Sequence, residues 1–386
     1  MERPLQGPLS GIRVIETAAL LPGPWCCAIL AELGADVIKV EPPEGDPARR
    51  FPPFLPGGES ALFVALNRGK RGAAIDLKTP GGRDAFLDLV RAADVVVSSW
   101  RPGVAERLGL GRDAIDAANP RVVTCSITGW GETGPHRLRP GHDVNYQAWA
   151  GTASLAGSPG SGPATPGVLA ADLAGGTLPA AVAILAALIE RSSTGRGRHV
   201  DVAMAVGTVP LLQMTHALIS GGLPPPGPGD GPFTSAFPCY RIYATREGHL
   251  AVGALEPKFW RVFCEVVGLP DLEGDALAQG ERRDEAVRRI ETRLAEATAE
   301  EWEARFDGKE TCVERVRGLG EVFRDPWLAG IGAVFEGDHP TAGRVTHLRA
   351  LPAWPERVAL RPAPTLGQHT AEVLAEATAA GDGRGR

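Results

Sequence analysis

The 386-residue sequence has no excess of positive charge: 40 Lys and Arg stand against 46 Asp and Glu, for a formal net charge of −6. Nucleic acids and anionic membranes are bound through basic patches, so neither is an expected partner. Cysteine is scarce too. Cys26, Cys27, Cys125, Cys239, Cys264 and Cys312 lie scattered in apolar surroundings, with no CxxC and no clustering with His. They read as reduced, buried thiols, and no metal site is expected. The N-terminus, MERPLQGPLSGIRVIE, lacks the basic-then-apolar build of a secretory signal. No uninterrupted apolar run approaches the ~20 residues of a spanning helix, so a soluble, cytoplasmic protein is expected. The sequence contains no GxSxG elbow, no Walker-type loop and no HExxH. Serine hydrolases of that elbow type, P-loop NTPases and zincins therefore have no motif behind them.

What is present is an alternation. Ile12 to Glu16 is a short apolar run, Pro22 to Ala35 a helix opening at a proline and closing at Gly34, and Asp36 to Glu41 apolar again. Ala73 to Leu77, a helix from Thr79-Pro80 to about Ala93, Val95 to Val97 and Val122 to Ile127 continue the pattern. Nearly continuous apolar strands alternating with helices predict an α/β fold with a parallel sheet covered on both faces. The first strand-to-helix turn, TAALLPGPW, has one glycine between two prolines and no GxGxxG, which argues against a dinucleotide cradle.

Gly221 to Pro232 is the clearest linker, and the character changes beyond it. Tyr240 to Ala244 and His249 to Ala254 read as paired strands, followed by charged helices at about Glu281 to Thr298 and Glu300 to Phe306. The expected organisation is a large α/β domain over residues 1–205, a linker over 206–234 and a smaller α+β domain over 235–325. Residues 326–386 return to the large domain and end in a helix near Thr370 to Ala379, with GDGRGR as a frayed tail.

Cations cluster at loop positions near the predicted strand ends: Lys39, then Arg68, Lys70 and Arg71 in LNRGKRG, then Arg101 opening RPGV. Scattered surface charge is the plain explanation for any single one of them, but open α/β sheets bind ligands at strand carboxyl ends, so several together suit a phosphate-bearing cofactor better than a protein partner. The isolated acid/base candidates are His142 with Asp143 in GHDVNY, Asp172, and Glu256 in AVGALEPKFW. A histidine in such a loop is either structural or reactive. Asp172 opens a helix that is entirely apolar from Leu178 to Ile189, so it is either a helix cap or a reacting acid. The pair Gly175-Gly176 lets a ligand or another chain approach there, and free N–H groups at a helix start suit a developing negative charge.

Strings along the chain resemble those of the class III CoA-transferase superfamily, and within it the α-methylacyl-CoA racemases: LGADVIKVEPP, LNRGKRG, RPGV, TGWGETGPHRLRPGHDVNYQAWAG, AADLAGG, STGRGRHVDVAM, AVGALEP and APTLGQHTAEVL. The resemblance runs from about Pro8 to Leu374. It implies a Rossmann-like large domain, a small domain between two linkers, and two chains interlocked as rings in a homodimer. It implies an acyl-CoA substrate, with CoA part of the thioester and no separate cofactor. The acid at Asp172 is the nucleophile in the family's transferases. The racemases keep it and add a histidine and a glutamate, matched here by His142 and Glu256. The implied reaction is two-base proton transfer at the carbon α to the thioester, with Glu256 setting the tautomer of His142. CoA transfer with Asp172 as nucleophile is the alternative. The CoA cations implied are Lys39, Arg68, Lys70, Arg71 and Arg101. One departure stands in GKETCVERVRGLGEV, where Glu314 and Arg315 replace a proline usual after the apolar strand.

Overall fold

A computed structural model describes residues 7–352 and 358–382. The last residues of the expected tail, from 383, lie outside the described residues. The chain forms two compact units: one takes the residues up to Ala150, Val168–Leu211 and those from Arg324, the other Gly151–Gly167 and Leu212–Phe323.

The first unit is built on six parallel strands: β1 (Arg13–Glu16), β2 (Asp36–Glu41), β3 (Lys70–Ala74), β4 (Val95–Ser98), β5 (Val123–Thr128) and β6 (His199–Ala203), in the order β3-β2-β1-β4-β5-β6. Neighbouring residues of a strand point to opposite faces, and both faces are apolar here. Val14, Val37 and Val95 join the core that holds Ile29 and Leu30 of the Pro22–Glu32 helix and Ile184 of the Leu178–Thr194 helix. Ile15, Ile38 and Val96 join the opposite core, with Phe86 and Leu89 of the Pro80–Arg91 helix and Val373 of the C-terminal Thr370–Asp382 helix. Strand order reverses between β1 and β4, the kind of switch point where open α/β sheets form ligand crevices.

Parts of this unit differ from the reading of the sequence. β3 begins at Lys70 instead of Ala73, so Lys70 and Arg71 are strand residues and not loop residues. β6 lies inside GRHVDVAM, where no strand was expected. The return segment carries a hairpin, Val334–His339 paired with Gly343–Leu348.

The second unit has an antiparallel sheet of β7 (Tyr240–Ala244), β8 (His249–Gly253) and β9 (Val313–Arg315) in that order. Trp260, Phe263 and Trp302 centre its core. Glu314 and Arg315, the departure from the family pattern, lie in β9. Gly157 to Gly167, read as a loop of the large domain, belongs to this unit, and the expected linker over 206–234 contains the Gln213–Ser220 helix.

Ala171–Thr194 is a continuous helical run of 24 residues containing an 18-residue stretch of mean hydropathy 1.8, long and apolar enough by composition to cross a membrane. Ala180, Ala181, Ile184 and Ala187 nevertheless pack into the sheet core, the place of an interior helix of a globular unit. Leu178, Val182 and Ile189 stay exposed. The run begins as a wide π turn, Ala171–Thr177, which then continues as the Leu178–Thr194 helix. Gly175 and Gly176 do admit a close neighbour, but it is the chain's own Met204–Thr208 helix. A Cβ at Gly175 would lie 2.4 Å from Thr208 Oγ1, and one at Gly207 would lie 2.0 Å from the Gly175 carbonyl oxygen. Gly207→Ala is therefore expected to destabilise the protein by about 1–3 kcal/mol through overpacking. Urea unfolding checks this, and an unchanged midpoint would contradict it.

Candidate functional site

At the carboxyl ends of the strands flanking the switch point, a cavity of about 240 Å³ opens in the first unit. The turn after β1 contributes Ala19 and Leu20, the segment after β4 Ser99 and Arg101, and the segment after β5 Gly129 and Trp130. Arg137, Arg139, His142, Tyr146 and Asp172 complete its polar and aromatic lining. His142 and Asp172, 30 positions apart in sequence, thus share one cavity.

His142 precedes the Asp143–Ala150 helix, and its carbonyl accepts the first helical bonds, from Asn145 N (2.8 Å) and Tyr146 N (3.2 Å). The Asn145 side chain returns to accept from His142 N at 2.9 Å, half of a capping box. The next residue, Asp143, is buried. Its Oδ1 accepts from Ala171 N (2.8 Å) and Asp172 N (3.0 Å), and its Oδ2 from Gln147 Nε2 (2.6 Å). Asp143 therefore fastens the helix start carrying His142 to the turn carrying Asp172. Leu173 N donates to Leu169 O at 3.0 Å. The first three N–H groups of the turn are thus engaged, and the expectation that they receive negative charge from a ligand does not hold.

Asp172 is half-buried, and its carboxyl is pushed up to about 6, chiefly by burial, further by the Asp143 carboxylate, and drawn back by His142. An acid held near the working pH suits proton transfer better than capping. The Tyr146 hydroxyl donates to Gly141 O at 2.6 Å, and burial followed by the Asp172 charge raises its pKa.

Of the five cations read from the sequence, Arg101 lines the cavity and is exposed. The other four are spent on internal pairing. Lys39 pairs with Glu16 (3.2 Å) and Asp46 (2.8 Å), and Lys70 with Glu16 (2.7 Å), all within the interior. Burial works against the Lys39 ammonium, but Glu16 and then Asp46 carry it above the ordinary lysine range; at Lys70 burial outweighs Glu16 and the value falls. Arg68 pairs with Glu32. Arg71 pairs with Asp36 (2.6 Å), Glu372 (2.9 Å) and Glu376 (2.8 Å), and sits where β3 begins, away from the strand carboxyl ends. These four are corrected from ligand contacts to framework charges.

The reading passed over Arg137 and Arg139, which stand inside the quoted string GPHRLRPGHD and line the cavity. It also missed a second cavity of about 500 Å³ that shares Arg101, Pro102 and Arg137 with the first and adds Trp100, Arg107 and Arg112. There His199 Nε2 lies 2.6 Å from Glu132 Oε2, and its Nδ1 lies 2.8 Å from Thr124 Oγ1. The hydrogen bond to His199 holds the Glu132 carboxyl below its ordinary value. Glu256 belongs to the second unit, where it is exposed and immediately precedes the Pro257–Val267 helix without capping it through its side chain.

The sequence profile of CoA-transferase family III matches residues 9–370. Succinyl-CoA:glutarate CoA-transferase of Mus musculus is 32% identical over 381 residues, covering 96% of this chain and 86% of that protein. Alpha-methylacyl-CoA racemase of Homo sapiens is 32% identical over 374 residues, covering 95% and 93%. The crystal structure of a CAIB/BAIF family protein from Brucella suis superposes with a TM-score of 0.81 at 31% identity, covering 96% of this chain and 100% of that one.

The raised carboxyl of Asp172 has a cost in stability. Its folded-state value, about 6, lies above the ordinary 3.8, so the penalty is complete above about 6 and vanishes below 3.8. Asp172→Asn is therefore expected to raise the melting temperature at pH 8, with the gain shrinking as pH falls towards 4. Thermal unfolding of both proteins across that range checks it, and a pH-independent difference would contradict it.

Proposed function

The chain belongs to CoA-transferase family III, and on that premise we propose that it interconverts (R)- and (S)-2-methylacyl-CoA thioesters by two-base proton transfer. One observation carries the reading: His142 and an Asp172 held near 6 line the same cavity. Inversion needs a base on one face of the α-carbon and an acid on the other. One group takes the α-proton, the C–H electron pair moves towards the thioester oxygen as an enolate, and the other group returns a proton to the opposite face. In either direction the pair holds one proton, on His142 or on Asp172. An aspartate held near 6 exchanges its proton readily around neutral pH, as a group that both takes and returns one must.

Arg101, Arg137 and Arg139 around the first cavity, with Arg107 in the second, supply the cations for the phosphates of CoA. Arginine suits phosphate through its bidentate fork. CoA is part of the substrate, and no further cofactor enters. Glu256 is assigned as the hydrogen-bond partner of His142, contributed within a homodimer. The exposed apolar residues Leu178, Val182 and Ile189 along one helix support such an assembly.

CoA transfer is the second reading, favoured by the transferase among the relatives and by the suitability of Asp172 as a nucleophile. In that case Asp172 attacks the thioester carbonyl and the C–S bond breaks to give an acyl anhydride. CoA thiolate then attacks the Asp172 carbonyl, releasing the donor acid and leaving an Asp172–CoA thioester. The second carboxylic acid displaces the thiolate from it as a new anhydride, and the thiolate attacks the acceptor's carbonyl, forming the new CoA ester and freeing Asp172. Hydroxylamine traps such an anhydride.

His142→Ala is expected to abolish interconversion of a 2-methylacyl-CoA, followed by chiral chromatography. Undiminished racemisation by that variant removes the assignment. Arg101→Ala is expected to raise KM for the CoA ester by about tenfold, the loss of one charge-assisted contact. Steady-state kinetics check it, and unchanged KM and kcat would leave Arg101 a structural role only.

A further inference from the structure

The first turn of the fold, from Thr17 to Pro24, supplies Ala19, Leu20 and Pro22 to the wall of the cavity that holds Asp172. Leu20 stands at φ 66°, a left-handed conformation that a branched non-glycine side chain rarely adopts. Something outside the turn must impose it. Lys39 Nζ donates to Ala18 O at 2.9 Å, and Asp46 Oδ1 accepts from Leu20 N at 3.3 Å. Lys70 Nζ donates to Pro24 O at 2.9 Å. Thr177 Oγ1, from the far end of the Asp172 turn, donates to Pro22 O at 2.8 Å.

These ties come from an ionic cluster closed to solvent. Glu16, Lys39, Lys70 and Asp46 are each 2% exposed or less. Glu16 pairs in register with Lys39, and Lys39 with Gly72, so Glu16, Lys39 and Lys70 share one face of the sheet. Such a cluster is costly to bury and gains little net stability over an apolar packing. What it supplies instead is charge-assisted hydrogen bonds at chosen backbone atoms. The four groups that tie the turn, Lys39, Asp46, Lys70 and Thr177, are absent from the lining of the cavity.

We propose that Lys39, Asp46 and Thr177 are positioning residues that clamp the Leu20 turn against the Asp172 turn, making one rigid wall that keeps water from the reacting carboxyl. The clamp rests on Asp172 as the reacting group, which both proton transfer and CoA transfer use. Burial is the largest cause of the raised Asp172 value, and the turn lines the cavity that Asp172 lines. The titratable and charged groups facing Asp172 around the cavity are His142, Asp143 and Tyr146 from the neighbouring helix and its cap, Arg101 after β4, and Arg137 and Arg139 from the loop after β5.

The test compares Thr177→Val, which keeps shape and loses the donor, with Thr177→Ser, which keeps the donor. A 2-methylacyl-CoA in deuterated water, with and without succinate, is the probe. For Thr177→Val, kcat is expected to fall about tenfold with KM within about twofold, a loss of alignment more than of binding. Its acid limb in the pH–rate profile moves to lower pH, because a wetter carboxyl ionises more easily. Thr177→Ser restores both. Should Thr177→Val fail to fold, Thr177→Ala serves: it removes the same donor without adding a methyl group in place of the hydroxyl and is expected to show the same shifts. Amide exchange across Thr17 to Trp25 is expected to quicken in either variant. Equal behaviour of the Val and Ser variants, or an unmoved acid limb together with unchanged exchange, overturns the proposal. A wild type that moves CoA to succinate and exchanges no α-proton removes the racemase reading, and the same comparison then decides the clamp on CoA transfer.

Discussion

The site hangs on a carboxylate that does no chemistry. Asp143 is buried and shares its oxygens between the Asp172 turn and its own helix, through bonds to Ala171 N, Asp172 N and Gln147 Nε2. Because His142 immediately precedes it, this one side chain sets the separation of the two groups that the proposed proton transfer uses. It has a second effect through its charge. A carboxylate beside Asp172 disfavours ionisation there, adding to burial in lifting the value to about 6. Geometry and proton affinity are thus set by the same interaction.

The fold supplies the crevice in which this happens. Parallel strands buried on both faces leave their carboxyl ends as the place where loops of different origin meet, and the reversal between β1 and β4 opens a gap there. Into that gap the chain brings a turn held in a left-handed conformation at Leu20, an arginine after β4 and a glycine-rich loop after β5. The wide π turn at Ala171–Thr177 adds a local irregularity, and Gly175 and Gly207 allow it to pack against the helix after β6. Such irregular turns are costly within a regular helix and occur often at functional sites.

Much of this was legible in the residues. Apolar runs alternating with helices were enough for β1, β2, β4 and β5, and period-2 patterning for β7 and β8, because burial alone decides those patterns. His142 and Asp172 were visible as candidates, although only the string-by-string resemblance raised them above a structural histidine and a helix cap. Four of the five cations lie away from the cavity for a physical reason. A charged residue looks like a loop or a ligand contact until its partner is known, and the partners of Arg71 are Asp36, Glu372 and Glu376, two of them about three hundred positions away. The same holds for Lys39 and Lys70, whose ammonium groups meet at Glu16 through strand register. β6 and β9 were missed because their charged or polar residues, His199, Asp201, Glu314 and Arg315, broke the apolar pattern.

Both proposed reactions use Asp172, so the account turns on whether a proton or an acyl group is what moves. The most direct measurement incubates a single enantiomer of a 2-methylacyl-CoA with the wild-type protein and succinate in deuterated water, following the α-carbon and the CoA by NMR. Deuterium at the α-carbon with formation of the other enantiomer, and no succinyl-CoA, is the predicted result. Succinyl-CoA appearing while the α-hydrogen and the configuration stay unchanged would contradict it.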